Sequence, residues 1–211
     1  MNRAYRSFYR ATAFALGVVV ASMVANPSAA QSAGPKTLRT IPLADLTVLD
    51  PTVSSATITA DHSYMVYDML FALDEKLTPQ PQMVDSWSVS NDKLTYRFTL
   101  RNGLTFHDGT PVTADDCVAS IKRWAVKDGT GQLMTKVLKE YKVIDPRTFE
   151  IVLNEPFGLM LQALSKPTAN LLPIMPKRLA DSDPNKAVTD ATGSGPFVFV
   201  KEEWVPGTKV V

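Results

Sequence analysis

Side chains that carry thiol or metal chemistry are scarce in this chain of 211 residues, which has one cysteine and two histidines. A single cysteine, Cys117, excludes a disulfide within the chain, so stability has to come from a packed core. Its position in an apolar helical pattern predicts a small buried hydrophobe. Neither His62 nor His107 lies in a cluster of further metal-ligating side chains, so the sequence predicts no zinc site held by the protein.

A strong excess of charge is also missing. The net charge is +1, and three arginines within the first ten residues account for its sign. Without those three, 19 of the 22 basic residues remain against 21 acidic residues. Such a balance provides no electrostatic attraction for nucleic acid or for anionic lipid. The apolar share of 45% and the charged share of 20% are typical of a soluble globular protein with one or two domains.

The first 30 residues have the pattern of a secretory leader. A basic start precedes an apolar run from Ala11 to Ala25, and Ser28-Ala29-Ala30 offers small side chains before a cut at Gln31. The run is shorter than the ~20 residues that cross a bilayer comfortably, which favours cleavage over a retained membrane anchor. No cysteine lies at the cut, so no lipid anchor is expected. The sequence predicts a signal peptide over residues 1–30, cleaved near Ala30, and export to a periplasm.

The stretch from Thr95 to Arg123 organises the rest of the chain. Apolar and polar residues alternate from Thr95 to Leu100 with the period of a half-buried strand. Asn102-Gly103 favours a tight turn, and Leu104 and Phe106 continue the alternation on a predicted return strand. Asp108-Gly109 then marks a second turn. The pattern predicts a hairpin in which the two strands pair with each other.

A helix is predicted to follow the second turn. Thr113 is suited to cap it, and Asp116 completes a capping box three residues later. Apolar residues then recur at helical spacing on one face: Cys117, Val118, Ile121, Trp124 and Ala125. Both predicted strands and this helix should therefore face one core.

Patterns elsewhere predict further elements. We expect short strands around 38–42 and 197–200, an apolar patch at 46–49, a hairpin from 141–144 and 148–153, and helices over 61–73, 132–140, 157–164 and 177–180. Trp87 should fill the core, and residues 127–131 should form a flexible loop. Gly193-Ser194-Gly195-Pro196 predicts a tight bend.

The organising stretch also carries a family resemblance. The residues concerned are Trp87-Ser88 … Phe98-x-Leu100-Arg101-x-Gly103-x-x-Phe106-His107-Asp108-Gly109-x-Pro111-Val112-x-Ala114-x-Asp116 … Ser120-x-x-Arg123. This run resembles the signature of family 5 of the extracytoplasmic solute-binding proteins of ABC importers, which includes dipeptide-, oligopeptide- and nickel-binding proteins. The resemblance extends from Leu49-Asp50-Pro51 to Gly193-Ser194-Gly195-Pro196-Phe197, and it implies a short helical turn over residues 83–87, before the Trp-Ser step.

The resemblance implies a fold and a division of the chain. The fold class is α/β (mixed α+β), like a class II periplasmic binding protein, comprising part of lobe I and its inserted subdomain. Residues 31–50 would hold the first strands of the base lobe, residues 51–192 the lobe I subdomain, and residues 193–211 the return to the base lobe. Relatives are well over twice this length, so the chain is expected to be truncated, with its second lobe missing.

The resemblance also implies a function without chemistry. The protein would be the periplasmic, monomeric component of an ABC importer that captures peptides or a similar small solute and delivers it to a membrane permease. Relatives contact the ligand a few positions after the Asp-Pro step, and the matching residues are Ser55, Ala56 and Thr57. No catalytic residue, metal or cofactor is expected. With half the cleft missing, the chain should bind ligand weakly or not at all.

Two alternatives from other functional classes remain open at this stage. One is a secreted hydrolase that uses His107 and Asp108, although no positioned nucleophile is evident beside them. The simpler interpretation of Asp108 is a turn residue that accepts a hydrogen bond from its own backbone. The other alternative is a sensory module that docks on a receptor without ligand.

Overall fold

A four-stranded antiparallel sheet with helices packed against it forms the centre of the molecule. The computed structural model describes residues 37–211, and the predicted leader lies outside them. The helices are α1 (Thr57–Val66), α2 (Ala114–Lys127), α3 (Gly129–Val137), α4 (Met160–Leu164) and α5 (Lys177–Ala180). The strands are β1 (Phe71–Leu73), β2 (Pro79–Pro81), β3 (Val84–Val89), β4 (Thr95–Leu100), β5 (Leu138–Asp145) and β6 (Thr148–Leu153). A short 3-10 helix spans Lys201–Glu203.

The central sheet has the order β3-β4-β6-β5, and β1 pairs with β2 in a separate ribbon. The predicted alternation in β4 is confirmed, because Tyr96, Phe98 and Leu100 are buried. The predicted hairpin of β5 and β6 is also confirmed. Phe98 lies opposite Phe149 of β6, with ring centroids 5.3 Å apart. The buried faces of β4 and β6 form one side of the main core.

The predicted return strand after Asn102-Gly103 is wrong. Gly103 does turn the chain, with a φ of +75°, but residues 104–112 then form a small loop of their own. Val112 N donates to Leu104 O at 3.0 Å, and Phe106 N donates to Thr110 O at 2.8 Å. Both edges of β4 already pair with β3 and β6. These strands form more ladder hydrogen bonds than residues 104–112 could form, because Pro111 has no N–H to donate.

Two helical predictions before the central sheet are also wrong. Residues 84–89 form β3 instead of a helical turn, and Trp87 is 43% exposed. The first helix begins at Thr57 instead of Asp61, and ends at Val66. It ends there because Gly195 N donates to the carbonyl of Val66, and Phe197 N to that of Met65. Residues 71–73 then extend to pair with β2.

The capped helix α2 is confirmed in detail. Thr113 Oγ1 accepts from Asp116 N, and the Asp116 carboxylate accepts from Thr113 N at 2.8 Å. All five residues of the predicted apolar face are buried. Trp124 of this face donates from Nε1 to the carbonyl of Asn170 at 2.9 Å. Burial raises the pKa of the Cys117 thiol, in agreement with a small hydrophobe.

The connection from α2 to β5 differs from the predicted loop and helix. Asp128 accepts hydrogen bonds from Thr130 N and Gly131 N, so α3 begins at once at Gly129. Residues 138–140 extend into β5 because β6 offers them a ladder. The predicted helices near 157–164 and 177–180 are present as α4 and α5.

Two of the predicted strands are absent from the part of the chain that is described. Residues 38–42 and 197–200 pair with no neighbouring strand. Residues 41–211 form one compact unit. A second core, apart from the sheet, contains Leu46, Leu49 and Tyr67, with Phe199 and Trp204 packed against it. Within residues 37–211, no helix is both long and apolar enough to cross a membrane.

Candidate functional site

The three residues predicted to contact ligand lie together at the start of α1. Ser55, Ala56 and Thr57 are all exposed, and Ala56 is the N-cap residue without a capping side chain. The preceding Ser54 accepts from Ala56 N at 3.3 Å and lies 3.2 Å from Thr59 Oγ1. Thr59 in turn donates to the carbonyl of Val48 at 2.9 Å. This segment therefore presents the hydroxyls of Ser55 and Thr57 at the surface, and the hydrogen bonds of Ser54 and Thr59 hold the chain beside it.

A buried ion pair between Asp50 and Arg123 holds the chain just before this segment. Arg123 Nη2 lies 2.8 Å from Asp50 Oδ2, and neither side chain is exposed. Asp50 Oδ1 also accepts from the N–H and the hydroxyl of Thr52, at 2.9 and 2.6 Å. Asp50 Oδ2 accepts from Val188 N at 3.0 Å. The pair thus holds the segment before Ser55 against α2.

Arg123 uses its whole guanidinium in this network. Its Nε donates to Thr52 Oγ1, and Nη2 donates to the carbonyl of Lys186 as well as to Asp50. Its Nη1 donates to Ser182 and to the carbonyl of Asp183. Such a fork needs the planar, permanently charged guanidinium. One sequence signal could have revealed this role. Arg123 follows Ser120 by three residues and lies on the mostly apolar face of α2, where a charge is unusual, and our sequence interpretation missed it.

His107 contacts the backbone of the loop that contains Gly193 and Gly195. Its Nε2 lies 2.9 Å from Gly195 O, and its Nδ1 accepts from Gly193 N at 3.4 Å. The neighbouring Asp108 accepts from Thr110 N and Thr110 Oγ1, as the turn interpretation predicts. Because the ring contacts main-chain groups instead of a hydroxyl or thiol nucleophile, this geometry does not support the hydrolase alternative.

The two glycines of this loop are required by close contact with α1. A Cβ on Gly193 would lie 2.0 Å from Val66 O, and one on Gly195 would lie 2.7 Å from Met65 O. A recess of about 270 Å³ opens beside the loop, with His107, Asp190 and Phe199 in its wall. The predicted bend therefore serves to join the end of α1 to the turn at His107.

His62 lies on the inner side of α1 and is 3% exposed. Its ring packs edge-on against Phe199 at 5.3 Å, and neither ring nitrogen has a hydrogen-bond partner. Burial lowers the pKa of His62 to about 4, so the ring is neutral at pH 7. No three His, Cys, Asp or Glu side chains gather into a possible metal site among residues 37–211.

Relatives of known name agree with the resemblance noted in the sequence. A probable peptide ABC transporter periplasmic-binding protein, y4tO of Sinorhizobium fredii, is 41% identical over 200 residues, which cover 92% of this chain and 36% of the relative. The glutathione-binding protein GsiB of Escherichia coli is 29% identical over 171 residues, which cover 79% of this chain and 32% of the relative. The chain thus spans about a third of the length of these relatives.

Solved structures and a family pattern point the same way. The periplasmic binding protein DppA of Helicobacter pylori, in complex with the peptide STSA, matches with a TM-score of 0.64 at 25% identity, over 79% of this chain and 36% of that one. Residues 78–211 match the middle region of the bacterial extracellular solute-binding proteins, family 5. These residues are more than half of the chain. The chain therefore belongs to the family 5 bacterial extracellular solute-binding proteins.

Proposed function

We propose that this chain supplies one side of the ligand cleft of a periplasmic solute-binding protein that serves an ABC importer. The observation that carries the proposal is the 41% identity, over 92% of the chain, to a relative named for peptide ABC transport and the periplasm. The protein captures peptides or a similar small solute and delivers it to permease subunits in the inner membrane. It works as a monomer, without a cofactor, and makes or breaks no bond.

The same proposal includes the location and the division of the chain. A leader over residues 1–30 directs export and is cleaved near Ala30. Residues 31–50 and 193–211 belong to the base lobe, and residues 51–192 form the lobe I subdomain. A hydrogen bond of 2.7 Å from Gly207 N to Asp45 Oδ1 supports this grouping, since it joins the two base-lobe segments directly.

Ser55, Ala56 and Thr57 form the ligand-contacting segment in this proposal. Their exposure at the start of α1 supports it, because hydroxyl and main-chain groups there can bond the polar backbone of a peptide. The positive end of the helix favours a ligand carboxylate. The buried Asp50–Arg123 pair holds the segment in place, which reduces the entropy lost on binding.

A chimaera tests both the function and the segment. Residues 31–211 replace the aligned third of the Sinorhizobium fredii relative, and a pool of di- to pentapeptides is titrated by calorimetry. We expect saturable heat. Ser55→Tyr together with Thr57→Tyr should weaken binding about tenfold, or about 1.4 kcal/mol, by filling the approach to the segment.

The matched control is Ser86→Tyr with Ser88→Tyr, two exposed serines on β3, which should leave binding unchanged. A folded chimaera that binds no peptide would contradict the function. A chimaera that binds peptide equally well with and without the two tyrosines at 55 and 57 would contradict only the assignment of the segment.

A further inference from the structure

A second recess lies between α2, α3 and β5 and shares no residue with the segment from Ser55 to Thr57. Its volume is about 480 Å³. Its lining includes the apolar side chains of Ala125, Val126 and Leu138 and the basic side chains of Lys122 and Lys136. The volume lies within the range of roughly 300–1,000 Å³ that small-molecule sites occupy.

The local structure explains why these side chains converge. Lys122 and Val126 are four residues apart on α2, so they share one helix face. On β5, a bulge falls between Leu138 and Glu140. Leu138 pairs with Leu153 and Tyr141 with Ile151, so the bulge brings Leu138 and Tyr141 to the same side of the sheet.

The charge of the recess is of one sign. The side chains that line it include two lysines and no carboxylate. Lys122 and Lys136 form no ion pair with any carboxylate of the described residues 37–211. Lys122 Nζ lies 5.6 Å from the centre of the Tyr141 ring. Burial raises the pKa of the Tyr141 hydroxyl, which therefore stays protonated and can donate a hydrogen bond at neutral pH.

We propose that this recess binds a small amphipathic carboxylate of the class of medium-chain fatty acids. The hydrocarbon chain lies on Ala125, Val126 and Leu138, and the carboxylate lies between the ammonium groups of Lys122 and Lys136. Charge complementarity selects an anion, and the apolar walls select a hydrocarbon tail. A folded protein partner fits less well, because a stable interface needs about 800 Å² from each side.

Titration of residues 31–211 with decanoate by calorimetry tests the proposal. We expect one saturable site. Lys122→Met with Lys136→Met should weaken binding about tenfold, since the carboxylate loses both of its ammonium partners. Lys76→Met with Lys93→Met changes the net charge equally but leaves the recess intact, so binding should stay at the level of the unmodified chain.

Two further measurements distinguish a site for an amphipathic carboxylate from a surface that adsorbs any apolar or any acidic molecule. Val126→Glu, at a position that is 45% exposed and tolerates change, should abolish decanoate binding while circular dichroism stays unchanged. Decanol, which lacks the charge, should bind at least about tenfold more weakly than decanoate. Absence of decanoate binding to the folded chain, equal binding of decanol, or preference for an acidic peptide over decanoate would each overturn the proposal.

Discussion

Asp50 and Arg123 are separated by 73 residues and form a 2.8 Å ion pair with no solvent exposure on either side chain. The pair connects the segment before α1 to the middle of α2, and backbone carbonyls from residues 182–186 complete the shell of Arg123. A buried ion pair of this kind is tolerated because every N–H of the guanidinium has an acceptor. The base of the proposed ligand segment is therefore held by electrostatics instead of by a ladder of strands.

Removal of Arg123 should destabilise the protein strongly. Arg123→Met leaves the Asp50 carboxylate buried without a counter-charge, so we expect a loss of about 3–5 kcal/mol in the free energy of unfolding by urea. Lys142→Met is the matched control. Lys142 is 48% exposed and pairs at 3.3 Å with Glu140, which is 43% exposed, so that substitution should cost less than about 1 kcal/mol. Equal losses for the two variants would contradict the anchoring role of Arg123.

His62 should make stability depend on pH. Its pKa is about 4 in the folded protein against 6.5 for an unperturbed imidazole, so the unfolded chain binds more protons between these values. Stability is fully present above pH 6.5 and falls as the pH is lowered toward 4, by up to about 3 kcal/mol.

Urea unfolding of the unmodified chain and of His62→Phe at several pH values between 4 and 7.5 measures this dependence. Phenylalanine keeps the ring and removes the titration, so the difference between the two variants should grow in favour of His62→Phe as the pH falls. A difference that stays constant over that range would show that His62 remains accessible to protons in the folded protein.

A side chain at position 193 should displace the loop from α1. The Cβ of Gly193→Ala would come within 2.0 Å of Val66 O, so the backbone has to move, and we expect a loss of about 2 kcal/mol or more. Gly129→Ala is the control, since nothing lies within 4 Å of a Cβ at that first residue of α3. Thermal unfolding of both variants measures the effect, and a Gly193→Ala protein as stable as the control would contradict it.

The chain by itself should bind peptides only weakly. It spans about a third of the length of its relatives, and under the proposed function it supplies one side of a cleft whose closure buries the ligand. Calorimetry with the same peptide pool as for the chimaera should give no measurable heat. Nanomolar binding by the chain alone would show that residues 31–211 contain a complete site.

Local signals explain which predictions were correct. The capping box of Thr113 and Asp116 and the apolar face of α2 depend on residues within one helix, so their spacing in the sequence suffices. The turn at Gly103 and the hairpin of β5 and β6 are local in the same sense. The choice of partners for β4 is not, because β6 lies about fifty residues along the chain.

Where residues have no strong local preference, contacts with distant parts of the chain determined their secondary structure and burial. Trp87 was expected in the core, yet pairing of β3 with β4 places it at the surface. Helix α1 stops at Val66 because a loop from residues 193–197 donates to its last carbonyls. A single sequence contains no record of such competition between distant backbone groups.

The sequence alone determined the family and the capped helix α2, because a long motif and helical periodicity are both read along the chain. The tertiary structure decided what the motif residues do: Arg123 neutralises Asp50, and His107 contacts the loop of Gly193. The reason is physical, since burial gives a charge or a ring its partners only after segments far apart in sequence have come together.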